Sequence, residues 1–178
     1  ELWDRFDYAR SPWQDNPYNP KNNVNYTAEE SGLKPVIETH PGRKENAFFR
    51  SVPALENNEV VLQYQRLQVE KLLSVALPFG HVLYCMDNET NEAPAWSAYG
   101  ADMIQEKAAE AGVKDCCTER WDDWNLLGEE HKATFEHPER YAFVDISQGN
   151  HQPSSNHWHN MQEVRRYLLD EGPVRPMN

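Results

Sequence analysis

Three short segments that predict strands each end in a cluster of acidic, amide or aromatic residues. The clusters are DNE at 87–89, ERWDDW at 119–124 and SQGNH at 147–151. Glu89 and Glu119 follow consecutive predicted strands, and two carboxylates on either side of a glycosidic bond suffice for its hydrolysis. Asp87, Asp122 and Asp123 are further candidates. Taken alone, each of these carboxylates is equally consistent with a helix cap or a solvated surface group.

The elements that would position these clusters follow a repeating pattern. The uncharged segment 81–86 predicts a buried strand of a parallel sheet, and segments 113–118 and 141–146 predict two more. Helical patterns alternate with them at roughly 30 residues per unit, which predicts right-handed βα crossovers. The carboxyl ends of such strands meet on one face, which is the active face of a (β/α)8 barrel. A doubly wound sheet has the same order, but no glycine-rich phosphate loop follows any strand.

Helix signals mark the crossovers. Apolar residues recur at helical spacing from residue 57, with Gln65 as the exception, until Pro78 and Gly80 end the pattern. A second helix begins at Pro94 and ends at Gly112. Weaker periodicity predicts a helix at 129–135, and a last helix runs from 156 to 172. A strand is expected to begin after residue 172.

We expect residues 1–178 to form a single domain in which residues 1–57 are a long irregular region. Its start, residues 2–8, predicts the end of a strand running into a loop. Segment 11–26 is dense in proline and asparagine, the residues of turns. Trp13, Tyr18 and Tyr26 make it a poor flexible linker, so a lid or substrate wall is the expected role.

Composition restricts the possible partners. The 178 residues carry a formal net charge of −12, with 39% hydrophobic and 26% charged residues, which is typical of a globular protein. A phosphate backbone requires a basic face, so no nucleic-acid partner is expected. Membrane binding is disfavoured likewise, and no apolar run approaches the roughly 20 residues of a spanning helix. Cys85, Cys116 and Cys117 do not form a disulfide pattern and are expected to be small buried residues.

A metal site is the alternative chemistry. His151, His157 and His159 follow Asp145, and histidine with aspartate can hold zinc. However, residues two apart on a helix point to different faces, so His157 and His159 cannot both bind one ion from a regular helix. We therefore expect neither a metal nor another cofactor.

The segment Tyr-Cys-Met-Asp-Asn-Glu at 84–89 resembles the end of the fourth strand in the large clan of retaining (β/α)8 glycoside hydrolases that includes the cellulases. In that clan an Asn-Glu pair closes the strand. The resemblance implies that Glu89 is the general acid/base and that Asn88 binds the sugar 2-hydroxyl near the nucleophile. Segment 118–123, the helix containing Trp96 and the closing residues 175–178 are similar to one subgroup, glycosidases known mostly from bacterial genomes.

The resemblance covers essentially the whole chain but only about strands three to seven of the eight. The segment Trp-Asp-Arg-Phe-Asp at 3–7 would then follow strand three. In the clan the nucleophile is a glutamate at the end of strand seven, which lies outside this sequence. Further chain segments are therefore expected to complete the barrel, and both ends of the chain look cut. Because glycosidases of this kind are usually exported, a secreted or periplasmic location is favoured over a cytoplasmic one.

The expected function is hydrolysis of a poly- or oligosaccharide by a retaining two-carboxylate mechanism. The alternative is a non-catalytic carbohydrate-binding protein or an inactive relative of the glycosidases that kept the cleft and lost the chemistry. Residues near Glu89 and Asn88 are expected to bind or stack on the sugar. They are Trp3, Asp4, Trp13, Trp96, Glu119, Trp121, Asp122, Gln148 and His151.

Overall fold

The computed structural model describes residues 1–39, 44–151 and 153–178. The described part combines helices with short parallel strands in a mixed α/β arrangement. The strands are β1 (Trp3–Asp4), β2 (Tyr84–Cys85), β3 (Asp87–Asn88) and β4 (Cys117–Thr118). The helices are α1 (Arg10–Asp15), α2 (Ala28–Ser31), α3 (Glu59–Ala76), α4 (Pro94–Ala111), α5 (Glu129–Phe135) and α6 (Asn156–Glu171).

The strand segments lie side by side in the order in which they occur in the chain. β1 pairs with β3, placing Asp4 opposite Asn88, and β2 pairs with β4. Parallel bridges join Arg120 to Asp145 and then Val144 to Met177. Each segment therefore follows its predecessor across the sheet without a reversal of order. The predicted parallel α/β arrangement is confirmed to this extent.

The helices match the sequence patterns more closely than the strands do. The helix at 129–135 has the predicted bounds, α4 and α6 match their predicted limits to within one residue, and α3 is about two residues shorter at each end. The predicted strand at 81–86 instead pairs from Tyr84 to Asn88, and both His81 and Leu83 are exposed. A regular strand forms only where the neighbouring backbone lies alongside, which apolar character alone does not specify.

α3 attaches the irregular region to the sheet. Its amino end is capped by Asn58, whose side chain accepts a hydrogen bond from the Val61 amide. Gln65, the polar exception in the apolar stripe, is only 3% exposed. Its amide donates to the carbonyl of Phe48 at 2.9 Å and its oxygen accepts from the Ser51 hydroxyl. A buried glutamine fits here because both ends of its amide are paired.

The irregular region 1–57 packs as part of the core, apart from residues 40–43, which lie outside the described residues. Phe48 is fully buried and contacts Tyr8 at 4.2 Å and Trp96 at 5.9 Å between ring centroids. Asparagine side chains replace regular backbone pairing. Asn19 donates to the carbonyls of Trp13 and Pro35, and Asn46 donates to that of Tyr8. The predicted lid is therefore, in its described part, a packed layer.

A smaller apolar cluster anchors the carboxyl-terminal half of the chain. Val144 and Ile146 pack with Phe135 of α5 and with Val164 and Leu168 of α6. Within the described ranges of the chain, no helix combines the length and the apolar character needed to cross a membrane.

We predict that Phe48→Ala lowers the free energy of unfolding by about 3–5 kcal/mol, because the substitution opens a cavity among closely packed rings. Chemical denaturation followed by fluorescence measures the change. Phe79→Ala is the matched control, since Phe79 is 55% exposed and its loss should change stability by roughly 0.5 kcal/mol or less. Equal effects of the two substitutions would contradict the packing described above.

Candidate functional site

Glu89 lies immediately after β3 and is partly exposed to solvent. Its backbone has φ = 52°, the left-handed conformation, which costs a residue other than glycine about 1–3 kcal/mol. Such strain persists only where the surrounding structure enforces it. Glu89 therefore leaves the strand at a defined bend.

Asn88 is held from both sides by the neighbouring strand segments. Its amide nitrogen donates to Asp4 Oδ2 at 3.1 Å, and its oxygen accepts from Arg120 Nη1 at 2.6 Å. The two bonds fix which end of the amide is the donor. They leave one amide hydrogen of Asn88 for another acceptor. The residue beside Glu89 therefore has a single, defined orientation.

Arg120 extends this network to the next strand segment. Its guanidinium donates to Asp145 Oδ2 from Nε at 3.2 Å and from Nη2 at 3.1 Å, and it also contacts Glu1 Oε1 at 2.6 Å. Asp145 Oδ1 accepts the backbone amide and the hydroxyl of Ser147. Asp4, Asn88, Arg120 and Asp145 thus form one continuous polar row across adjacent segments, which we call the cross-strand row.

The electrostatic surroundings of Glu89 favour its protonated form. Burial raises the pKa of the Glu89 carboxyl, and the negative charges of Asp4 and Asp122 raise it further. Arg5 and Arg120 act in the opposite direction. The result is a carboxyl whose pKa lies above its ordinary value and which remains partly open to solvent, the combination that a general acid requires.

Asp122 lies two residues after Arg120 and forms an ion pair with the fully buried Arg5. Nε and Nη1 of Arg5 have no hydrogen-bond partner within the described residues. A buried guanidinium strongly influences nearby carboxyls because little water screens its charge. The buried charge of Arg5 thus stabilises the carboxylate of Asp122. Both charges also act on Glu89, whose pKa Asp122 raises and Arg5 lowers.

Glu119, a predicted sugar ligand, is fully enclosed. Its Oε1 accepts the backbone amides of Asp87 at 2.9 Å and Arg120 at 3.3 Å. Burial raises the pKa of Glu119 to about 8. The structure thus places this side chain as a link between strand segments, with no surface that a sugar could contact.

Two further buried acids lie close to Glu119 and Arg5. Asp87 is fully buried, and burial together with the charge of Glu119 raises its pKa well above the ordinary value. Glu92 is 2% exposed, neither of its carboxyl oxygens has a hydrogen-bond partner within the described residues, and burial raises its pKa to about 7. Glu92 could not be predicted from the sequence, because no local pattern identifies a glutamate that folds inward from a loop.

All four predicted sugar-binding tryptophans, Trp3, Trp13, Trp96 and Trp121, lie in the core. Trp3 packs edge-on against Trp96 with 4.9 Å between ring centroids, and both are less than 7% exposed. The indole nitrogen of Trp13 donates to the Lys34 carbonyl, and that of Trp121 donates to the Thr134 hydroxyl. In this arrangement none of these rings offers an open face for stacking.

Gln148 and His151 lie on a separate loop. Gln148 is partly exposed, and its carbonyl contacts Nδ1 of the exposed His151. The His151 ring packs against Trp124 at 4.6 Å between centroids. His157 and His159 are exposed on α6, and within the described ranges no group of three or more potential ligands is positioned to hold a metal ion. Of the predicted site residues, the structure brings together Asp4, Asn88, Glu89 and Asp122. Arg5 pairs with Asp122, and Arg120 donates to Asn88.

We predict that stability falls as the pH rises through the titration of Glu92. The ordinary pKa is 4.5 and the folded-state value is about 7, so between these values the folded state binds more protons than the unfolded state. Glu92→Gln removes this contribution. The variant should gain on the order of 3 kcal/mol relative to the wild type between pH 4.5 and pH 8, measured by urea unfolding.

Glu106→Gln, a substitution at an exposed position of α4, is the control and should leave the pH dependence unchanged. Parallel stability curves for Glu92→Gln and the wild type would contradict the assignment of a buried, protonated Glu92.

Comparisons of the chain with protein-family models, with curated proteins and with solved structures find no match.

Proposed function

We propose that this chain forms part of a retaining glycoside hydrolase in which Glu89 is the general acid/base. The observation that carries the proposal is the setting of Glu89. It is a partly exposed carboxyl with a raised pKa at the end of a parallel strand, beside an asparagine fixed by both neighbouring segments. General acids combine these properties, because they must hold a proton near neutral pH and also reach the substrate.

The proposed fold is part of a (β/α)8 barrel. Parallel segments that follow one another in chain order, with helices in the connections, have the connectivity of consecutive βα units of such a barrel. Met177 would belong to the strand after Val144. By the resemblance to the glycosidase clan, the nucleophile would lie at the end of that strand, and no residue of this chain is assigned to the role.

In this mechanism protonated Glu89 donates its proton to the glycosidic oxygen while the nucleophile attacks the anomeric carbon. The leaving alcohol carries the proton away and a glycosyl–enzyme ester forms. Esterification removes the negative charge of the nucleophile, so the pKa of Glu89 falls. Ionised Glu89 then takes a proton from the water molecule that hydrolyses the ester. The two carboxyl groups would be separated by roughly 5 Å.

The neighbouring residues have supporting roles. Asn88 donates one amide hydrogen to Asp4, and its second amide hydrogen, which has no acceptor among residues 1–39, 44–151 and 153–178, would bind a sugar hydroxyl. Burial and the charges of Asp4 and Asp122 raise the pKa of Glu89, which would favour the protonated form needed for the first step. The proposal requires a carbohydrate substrate, no cofactor and no nucleic-acid partner, and it favours a secreted or periplasmic protein.

A non-catalytic sugar-binding protein is the second candidate, because the exposed ring of Trp124 is suited to binding whether or not catalysis occurs. Sugar binding without turnover in the intact protein would favour this candidate over the hydrolase.

We predict that Glu89→Gln lowers kcat/KM roughly 100- to 10,000-fold on glycosides with poor leaving groups, because the amide cannot donate the proton. Glycosides with dinitrophenolate leaving groups should lose far less, since their departure needs no acid. Steady-state hydrolysis by the intact protein measures both. Glu106→Gln on α4 is the matched control. Turnover near the wild-type rate by Glu89→Gln on the poor leaving groups would reject the assignment.

We also predict that Asp4→Asn shifts the basic limb of the kcat/KM pH profile to lower pH. The negative charge of Asp4 raises the pKa of Glu89, so its removal lets Glu89 ionise at lower pH. Asparagine keeps an oxygen that can accept from Asn88. Asp102→Asn, which alters an exposed ion pair with Arg140, should leave the limb in place. An unchanged limb in Asp4→Asn would refute the coupling.

A further inference from the structure

An exposed tryptophan projects from the segment between β4 and α5. Trp124 is 60% exposed, whereas Trp121 and Leu126 on either side of it in the chain are only 1% and 6% exposed. Indole carries a large apolar face together with a polar N–H group, and it is enriched where proteins bind ligands that are partly apolar and partly wet.

The backbone beneath Trp124 is held in place by several contacts. Asp123 Oδ1 accepts the Asn125 amide at 2.9 Å, and the Asn125 carbonyl accepts the Gly128 amide at 2.7 Å. His131 Nε2 contacts the Asp123 carbonyl at 3.0 Å. Gly149 packs so closely that an added Cβ would lie 2.2 Å from that same oxygen. The ring therefore stands on an ordered base, which reduces the entropy lost on binding.

A cavity of about 240 Å³ lies between this segment and α6. Trp124, Leu126 and Val164 contribute its apolar wall. The lining residues with hydrogen-bonding side chains are Asn125, Asn160 and Glu163, and Asn160 Nδ2 also donates to Asn150 Oδ1 at 3.1 Å. His151 packs against the indole at a 57° tilt and thereby supports its orientation.

From these features we infer that the cavity beside Trp124 binds one sugar ring of a neutral glycan chain. The C–H face of a pyranose packs on indole, and its hydroxyls both donate and accept, which matches the amides and the carboxylate. The volume is below the roughly 300 Å³ of the smallest drug-sized pockets, which suits one ring better than several. Glu163 and the net charge of −12 disfavour sulfated or uronic chains.

Sugar binding beside Trp124 is a separate property from the proposed hydrolysis at Glu89. It holds whether or not Glu89 transfers a proton, so the failure of either idea leaves the other standing.

Affinity electrophoresis of the intact protein tests the inference, with xylan, mixed-linkage β-glucan, galactomannan and chondroitin sulfate as probes. We expect retardation by at least one of the three neutral polysaccharides and none by chondroitin sulfate. Trp124→Ala should weaken the retention roughly tenfold or more, because the stacking surface is lost. Trp158→Ala is the matched control, since Trp158 is 57% exposed on α6 and does not line the cavity.

Each of the other results would overturn the inference. These results are no retardation of the wild type by any neutral probe, unchanged binding by Trp124→Ala, or an equal loss in Trp158→Ala. Retention by chondroitin sulfate alone would reject the neutral ligand. A change of oligomeric state in Trp124→Ala without glycan binding by the wild type would assign the exposed ring to a protein interface instead.

Discussion

The cross-strand row is the interaction on which the arrangement of the site depends. Each named strand has only two residues, so backbone pairing alone specifies its register weakly. The side chains of Asp4, Asn88, Arg120 and Asp145 add bonds that are possible in one register only. A shift of one residue would turn these side chains to the other face of the sheet and separate the charges. The same bonds that align the strands therefore also place Asn88 beside Glu89.

The row also explains how so acidic a chain can gather carboxylates at one place. With a net charge of −12, acidic loops that meet at one edge repel each other unless cations lie between them. Arg120 contacts Asp145 and Glu1, and the buried Arg5 contacts Asp122. Two arginines cannot neutralise every neighbouring acid, so burial and the remaining repulsion together raise the pKa values of Asp87 and Glu89. At Glu92 burial alone raises the pKa, and the charges of Lys44, Arg5 and Arg50 lower it.

The sequence was a good guide to the helices and a poor guide to side-chain direction. Pro94 and Gly112 bound α4 as expected, because the residues that begin and end helices act locally. Strand limits and tryptophan roles depend on distant neighbours. Trp96 is in the core because Phe48 and Phe49, far along the chain, pack on it. The burial of Glu92 likewise depends on distant neighbours and could not be predicted. The Asn88–Glu89 pair could be singled out as a candidate, because the end of an apolar segment is a local signal.

The contrast between Glu89 and Glu119 follows from where each carboxyl is held. Both follow short predicted strands, and sequence position alone makes them equally good candidates for a catalytic carboxyl. Glu119 is enclosed and accepts backbone amides from two segments, so its oxygens already have a structural use. A proton donor must contact both its substrate and a source of protons, which an enclosed carboxyl cannot do without local opening. Glu89, turned out of the strand by its left-handed backbone, stays partly exposed within the field of Asp4 and Asp122. Burial therefore assigns a structural role to one glutamate and leaves the other available for proton transfer.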